Sequence, residues 1–290
     1  MAAVDEADDG LRADLRGWYA REARALPWRS DPDPWAVLVS EAMLQQTQVS
    51  RVVPIFRAFL ARWPTPAALA AAPVGDVVAA WQGLGYNRRA VRLHQAACAI
   101  VAEHDGAVPA DVAALRALPG VGDYTARAVA AFAHGRPEAP VDANVARVLS
   151  RLAGRALSPR EAQRLGDGLV DADDPAAWGQ ALMELGALVC TARVARCEAC
   201  PVAAHCAWRG QGPDPAAATA HRSRPQGRFE GSDRQLRGRI VEALRSEGVP
   251  ADRLAERIGA DDPDRAQRLA AALVAEGMAT WDGATLRLPA

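Results

Sequence analysis

Four cysteines crowd the stretch from Cys190 to Cys206, separated by six, two and five residues. Thiolates this close along a chain can converge on one metal centre, and in a reducing compartment that reading leads over a disulfide framework. Zinc sites more often pair two Cys-x-x-Cys knuckles across a longer loop, and only Cys197 and Cys200 make such a knuckle here. An iron–sulfur cluster fits the spacing better, with zinc still a competitor. The fifth cysteine, Cys98, stands near Ala97, Ile100 and Val101 in an Ala-rich helical stretch, where a thiol is expected to pack as a small hydrophobe.

Two carboxyls are placed for acid–base chemistry. Glu41 lies on a helix opening near Pro34 and Trp35, and helical spacing puts Val37, Leu38 and Leu44 on its face. An apolar stripe solvates a carboxylate poorly, which raises its pKa and keeps the proton near neutrality, as a general acid requires. A rim glutamate paired with an arginine is the bland alternative. Asp142 immediately precedes a helical pattern through Val145, Val148, Leu149 and Leu152, so an N-cap accounts for it. Capping and catalysis need not exclude each other.

Leu118-Pro119-Gly120-Val121-Gly122 separates a helical pattern capped by Asp111 from a second helix running from about Asp123 to Ala133. Gly120 and Gly122 let the backbone approach a phosphate, and the following helix N-terminus offers N–H donors and a favourable dipole. An ordinary αα-turn explains a lone Gly-x-Gly; a helix-hairpin-helix that holds a phosphate through its backbone is the functional alternative. Asp123 at the helix start repels a phosphate unless it points aside.

The run Leu185-Gly186-Ala187-Leu188-Val189-Cys190 with the cysteine spacing behind it resembles the [4Fe–4S] loop of helix-hairpin-helix DNA glycosylases, the endonuclease III and MutY group. The resemblance covers roughly residues 11 to 210 and makes Cys190, Cys197, Cys200 and Cys206 ligands of a [4Fe–4S] cluster. Glu41-Ala42-Met43-Leu44-Gln45-Gln46-Thr47-Gln48 is similar to the catalytic-glutamate segment of MutY-type adenine glycosylases, which implies that Glu41 protonates the departing adenine at N7. Val141-Asp142-Ala143-Asn144-Val145-Ala146-Arg147-Val148-Leu149 matches the family's catalytic-aspartate segment, which implies that Asp142, with Asn144 beside it, faces the anomeric carbon. Breaking an N-glycosidic bond leaves an oxocarbenium-like sugar and an electron-rich base, so one protonated and one ionised carboxyl are wanted.

The same resemblance places Trp28, Arg29, Leu44 and Gln180 around the extruded adenine, and Gln46 and Tyr86 as wedges in the base stack. Tyr86 is followed by Asn87, Arg88 and Arg89 where relatives often show a second tyrosine, and the two arginines are expected to meet phosphate. Arg193 and Arg196, between the first two cysteines, are candidates for the same role. Bifunctional relatives use a lysine Schiff base at the position of Tyr124. All 34 basic residues of this chain are arginine, so a lysine-dependent lyase is excluded and a monofunctional glycosylase is implied.

Such residues need helices to carry them. The chain has 290 residues, half of them apolar, with a net charge of −1, so any DNA contact must be arranged locally. The acidic start lacks a secretory signal, and no apolar run approaches a membrane span, which makes the cytoplasm of a bacterium the expected compartment. Ala-, Leu- and Arg-rich segments with apolar residues three or four apart predict an all-α, two-lobed body over residues 1–210. A linker is expected at 211–230, followed at 231–290 by a winged-helix-like module of three helices and a hairpin turning at Asp282-Gly283. Arg234, Arg237 and Arg239 on the module's first helix are candidate DNA contacts, although an Arg-rich helix face is more often merely solvated. The module is too short and helical for the Nudix-like domain of typical MutY proteins, which puts recognition of an oxidised partner base in question.

These readings together imply a monomer that removes adenine opposite 8-oxoguanine or guanine in double-stranded DNA. A thymine/uracil mismatch glycosylase of the same superfamily and a non-catalytic iron–sulfur DNA-binding protein are the alternatives.

Overall fold

The computed structural model describes residues 2–30, 32–218 and 227–290. Among them the chain is helical except for three short strands near its C-terminal end and one isolated bridge between Cys190 and Ala195. It divides into two compact units, one of Met1–Val37, Ala110–Arg116 and Val121–Arg224, the other of Leu38–Pro109, Ala117–Gly120 and Pro225–Ala290.

The first unit is built on a heptad-like match between two helices. Leu11, Leu15 and Trp18 fall at helical spacing on Ala2–Glu22, and Trp178, Leu182 and Leu185 do so on Pro175–Leu188. All six are buried together with Val145, Val148 and Leu149 of Ala143–Leu152. Full burial of each large side chain stabilises the fold by roughly 1.5–3 kcal/mol. Local signals agree with this packing: Ser158 and Glu161 form a reciprocal capping box, and Asp174 caps Pro175–Leu188 with proline at its first position. Gly179 and Gly186 bring that helix close to its neighbours. A Cβ at Gly179 would stand 2.9 Å from Phe132, and one at Gly186 would stand 3.1 Å from Asn144 Cβ. Asp214, within the expected linker, packs onto this unit through Arg151, whereas the linker residues 219–226 lie outside the described residues.

In the second unit, Phe59 sits edge-on to both Trp63 and Trp81. The C-terminal segment runs helix Asp233–Ser246, strand Val249–Pro250, helix Leu254–Ile258, helix Pro263–Ala275, and strands Thr280–Asp282 and Thr285–Arg287. Thr285–Arg287 is the central strand, antiparallel to both others, with Trp281 and Val249 each opposite Leu286. This is the expected winged-helix-like order, with Ser232 as the N-cap of its first helix. Its hairpin turn differs in one detail. Asp282 pairs with Thr285, so the two turn residues are Gly283 and Ala284, and Gly283 alone has positive φ, at 58°. That is the requirement of a II′ turn with glycine first, not of a I′ turn centred on Asp282-Gly283.

The segment docks on residues 38–109 of its own unit. Pro289 O accepts from Gly75 N at 3.0 Å, and Gln82 Nε2 donates to Glu242 Oε1 at 2.8 Å. Two of the three arginines named as candidate DNA contacts are engaged inside the module: Arg237 pairs with Glu276 at 2.7 Å, and Arg239 donates to the carbonyl of Ile258 at 2.9 Å. Cys98 is likewise corrected. Ala97 and Ile100 are buried, but Cys98 lies on the exposed face of its helix beside His94.

Candidate active site

Helix Pro175–Leu188 turns Gln180, Met183 and Glu184 to one side, since residues three and four apart share a face. Each is met by a side chain from elsewhere in the first unit. Tyr19 donates its hydroxyl to Gln180 Oε1 at 2.6 Å, and Tyr124 Oη lies 3.7 Å from Met183 Sδ. Glu184 is fully buried and accepts from Arg24 Nε at 2.6 Å, Arg24 Nη2 at 2.7 Å and Arg29 Nη2 at 3.1 Å. The Arg29 guanidinium stands 5.7 Å from the Tyr19 ring, closing the set. Three residues nominated from the sequence, Arg29, Tyr124 and Gln180, are thereby tied to one helix face, with the nominated Trp28 buried next to Arg29. Tyr19, Arg24 and Glu184 were not nominated. A charged residue four places after Gln180 in an otherwise apolar helix was the available signal for Glu184; Tyr19 carried none.

Electrostatics hold this cluster in defined charge states. Burial by itself would raise the Glu184 carboxyl, but the hydrogen bonds and charges of Arg24 and Arg29 outweigh it and hold it below the usual carboxylate range. The hydrogen bond to Glu184 raises Arg24 in turn. Burial raises the Tyr19 phenol above its ordinary 10.0, so the hydroxyl keeps its proton.

Asp142 caps Ala143–Leu152, as the helical pattern requires, and the carboxylate is gripped more completely than capping needs. One oxygen, Oδ1, accepts from the backbone N–H of Asn144 at 2.8 Å and of Val145 at 2.7 Å. The other, Oδ2, accepts from the Asn144 side-chain amide at 2.9 Å. Asn144 thus fixes the plane of the carboxylate, and the Cβ-free Gly186 leaves space for it. One turn on, Arg147 donates to the carbonyls of Cys190 and Gly186 at 3.0 and 2.7 Å.

The second unit carries Glu41, Leu44, Gln46 and Tyr86. Glu41 is 6% exposed on helix Pro34–Leu44, with Val37, Leu38 and Met43 buried around it in sequence and Leu44 half-buried. Gln46 and Tyr86 are exposed in two turns, and both have positive φ, 56° and 48°. Non-glycine residues rarely adopt that conformation, and such strain persists only where neighbours enforce it. Arg89 is the enforcing neighbour. Its guanidinium donates to the carbonyls of Ala42 and Met43 at 2.8 and 2.9 Å, to Thr47 Oγ1 at 2.9 Å, and to the carbonyls of Leu84 and Gly85 at 3.1 Å. It also lies 5.7 Å from the Tyr86 ring. Burial lowers Arg89 to about 10. The expectation that Arg89 meets phosphate is therefore corrected, because five acceptors within the protein occupy it; Arg88 is exposed.

Helices Val112–Ala117 and Asp123–His134 flank the Gly120–Gly122 turn. Gly120 has φ 81°, and a Cβ there would strike Arg92 Cβ at 2.7 Å; Gly122 is extended, and a Cβ would meet open space. Asp123 is flanked by Arg116 and Arg127, each 3.4 Å away, which neutralises the carboxylate at the helix start.

Cys190, Cys197, Cys200 and Cys206 line a single cavity enclosing about 310 Å³ with its open mouth. Two short 3-10 turns, Cys197–Ala199 and Ala203–His205, aim the last three cysteines inward. Arg151, 3% exposed, donates to Cys190 Sγ at 3.2 Å, and the Arg209 N–H donates to Cys206 Sγ at 3.4 Å. Gly210 has φ 77°, and a Cβ there would approach Cys197 Sγ to 3.2 Å. Burial pushes the Cys200 thiol up to about 11, so a cationic centre is needed to ionise it near neutrality. A soft, all-sulfur donor set of this kind is shared by zinc and iron–sulfur centres. Among the described residues no group of three or more His, Cys, Asp or Glu side chains is gathered closely enough to hold a metal ion. Arg193 and Arg196 are exposed beside this loop.

No helix among the described residues is long and apolar enough to cross a membrane. The family model of the HhH-GPD superfamily of base excision DNA repair proteins matches residues 39–169. An adenine DNA glycosylase of Mycolicibacterium smegmatis is 45% identical over 278 residues, covering 93% of each chain. A thymine/uracil-DNA glycosylase of Pyrobaculum aerophilum is 39% identical over 196 residues, covering 64% of this chain and 85% of that one. Among solved structures, a thermostable thymine-DNA glycosylase superposes with a TM-score of 0.68 at 27% identity, covering 72% of this chain and all of that one.

Proposed function

This chain belongs to the adenine DNA glycosylase family of the HhH-GPD superfamily, and from that premise we propose that it hydrolyses the N-glycosidic bond of adenine mispaired with 8-oxoguanine or guanine in double-stranded DNA. Glu41 gives its proton to the departing base, and Asp142 keeps its charge to stabilise the cationic sugar until water adds. Asn144 orients the Asp142 carboxylate, and Tyr124 lies against the reacting nucleotide. Trp28, Arg29, Leu44 and Gln180 receive the flipped adenine, Gln46 and Tyr86 fill the gap it leaves, and Gly120 and Gly122 let the hairpin backbone grip a phosphate.

The single observation that carries this reading is the Asp142 carboxylate with both oxygens fixed by three N–H donors. A cap needs only one oxygen held; a charge that must face an anomeric carbon needs its direction set as well. With no lysine in the chain, no side-chain Schiff base can form, so the product is an abasic site and the strand stays intact. Cys190, Cys197, Cys200 and Cys206 would hold a [4Fe–4S] cluster, which when bound cross-links its loop and supplies one-electron chemistry that hydrolysis does not require. The protein works as a monomer in the bacterial cytoplasm.

The test is strand scission, with and without alkali, on duplexes carrying A opposite 8-oxoguanine, A opposite G, and T or U opposite G. Scission only after alkali, at adenine only, and lost in Glu41→Gln and Asp142→Asn, is the expected result. Excision of T or U in place of adenine would move the chain to the thymine/uracil reading that its 39% identical relative represents. Binding without excision of any base would leave a non-catalytic DNA-binding protein.

A further inference from the structure

We propose that Tyr19 is a positioning residue that sets base specificity by locking the side-chain amide of Gln180 with its oxygen toward the phenol. The proposal rests on the adenine-pocket role given to Gln180 above. A glutamine amide has an acceptor end and a donor end of nearly equal size, so a pocket built on one reads a base only if something fixes which end faces where. Tyr19 does so in the first unit. Its hydroxyl donates to Gln180 Oε1 at 2.6 Å, a separation usual for O–H···O. The reversed amide would have to turn the phenol from donor to acceptor and lose this short contact.

Tyr19 is itself restrained. Its ring carries the Arg29 guanidinium at 5.7 Å, and Arg29 is tethered to the fully buried Glu184, which sits one turn beyond Gln180 on the same helix. Helix, phenol and guanidinium therefore form a closed loop of contacts in which the amide has one orientation.

That orientation matters because adenine and hypoxanthine differ in polarity at position 6 and N1 rather than in shape. Adenine offers a donor at N6 beside the ring acceptor N1, which pairs with an amide presenting oxygen to N6 and N–H to N1, and leaves N7 to the proton of Glu41. Guanine and hypoxanthine place an acceptor at O6, with a donor at N1, and they meet a fixed amide oxygen-to-oxygen. An amide able to turn over would bind them nearly as well. Sites that leave buried polar groups mispaired discriminate far more strongly than sites that differ by a methylene.

Single-turnover excision of adenine and of hypoxanthine, each opposite the same base, should be compared in the iron-bearing full chain, in Tyr19→Phe, in Gln180→Leu and in the double variant. Tyr19→Phe keeps the ring and removes only the lock, so its melting temperature should stay near that of the wild type. Its preference for adenine over hypoxanthine should narrow by about tenfold or more. In the Gln180→Leu background the same change should move that preference by less than about twofold, because Tyr19 acts through the amide. Equal loss on both bases, or an equal narrowing with and without Gln180, would overturn the proposal. A Gln180→Leu preference identical to the wild type would overturn the pocket assignment and the lock with it, and an inactive wild type would instead indict the glycosylase reading.

Discussion

Arg89 donates to Thr47 Oγ1 at 2.9 Å, joining the turn that holds Gln46 to the turn that holds Tyr86, because the same guanidinium also takes the carbonyls of Leu84 and Gly85. Two more of its bonds end on Ala42 and Met43, at the C-terminal end of the helix that carries Glu41. One half-buried cation thus sets both strained turns against the end of the Glu41 helix.

Replacing Arg89 with glutamine should release both turns. Each hydrogen bond to a charged group contributes about 1.5–3 kcal/mol, and the five are not additive, so a loss on the order of 2–4 kcal/mol in denaturant unfolding is expected. Excision should fall further than stability explains, and fluorescence of a reporter base stacked beside the adenine should show reduced wedging. A variant that melts earlier but excises normally at low temperature would show the turns to be irrelevant to the reaction.

The two hairpin glycines should fail in different ways. Gly120→Ala meets Arg92 Cβ at 2.7 Å and a positive φ, so it should cost stability by about 1–3 kcal/mol or more. Gly122→Ala has room for its methyl, so melting should change little while DNA affinity drops, if the backbone there lies against phosphate. Thermal melts paired with binding titrations on an abasic-analogue duplex separate the two effects.

Glu184 gives a pH signature. Its folded carboxyl titrates below the ordinary 4.5, so the unfolded chain binds its proton first as pH falls. The stabilisation from this group is whole above 4.5 and is lost as pH drops through the lower folded value. Comparing wild type with Glu184→Gln, the difference in melting temperature should be largest near about pH 6 and should shrink toward about pH 4. A difference that grows on acidification would reverse the sign and refute the assigned cause.

The four clustered cysteines and Cys98 should behave oppositely. Serine at Cys197 or Cys200 should strip iron and visible absorbance from the purified chain, whereas Cys98→Ser should retain about four irons per chain. Iron analysis of the variants decides it, and zinc in the wild type in place of iron and sulfide would exclude the cluster.

Much of this protein is local, and local features are what a sequence specifies. The caps at Ser158, Asp142, Asp174 and Ser232, the glycine turn at 120–122, the helix of Glu41 and the C-terminal module follow from residue type and spacing within a few positions. The cysteine spacing likewise foretold a shared cavity, because seventeen consecutive residues can fold back on themselves with little choice. What tertiary structure alone decided involves partners far apart along the chain. Tyr19 meets Gln180 across 161 residues, Arg24 meets Glu184 across 160, and Arg89 turns from the phosphate it was expected to meet toward five acceptors inside the protein. No periodicity encodes such pairs. A long polar side chain can reach in many directions, and only the packed helices determine which acceptor it finds at the end of that reach.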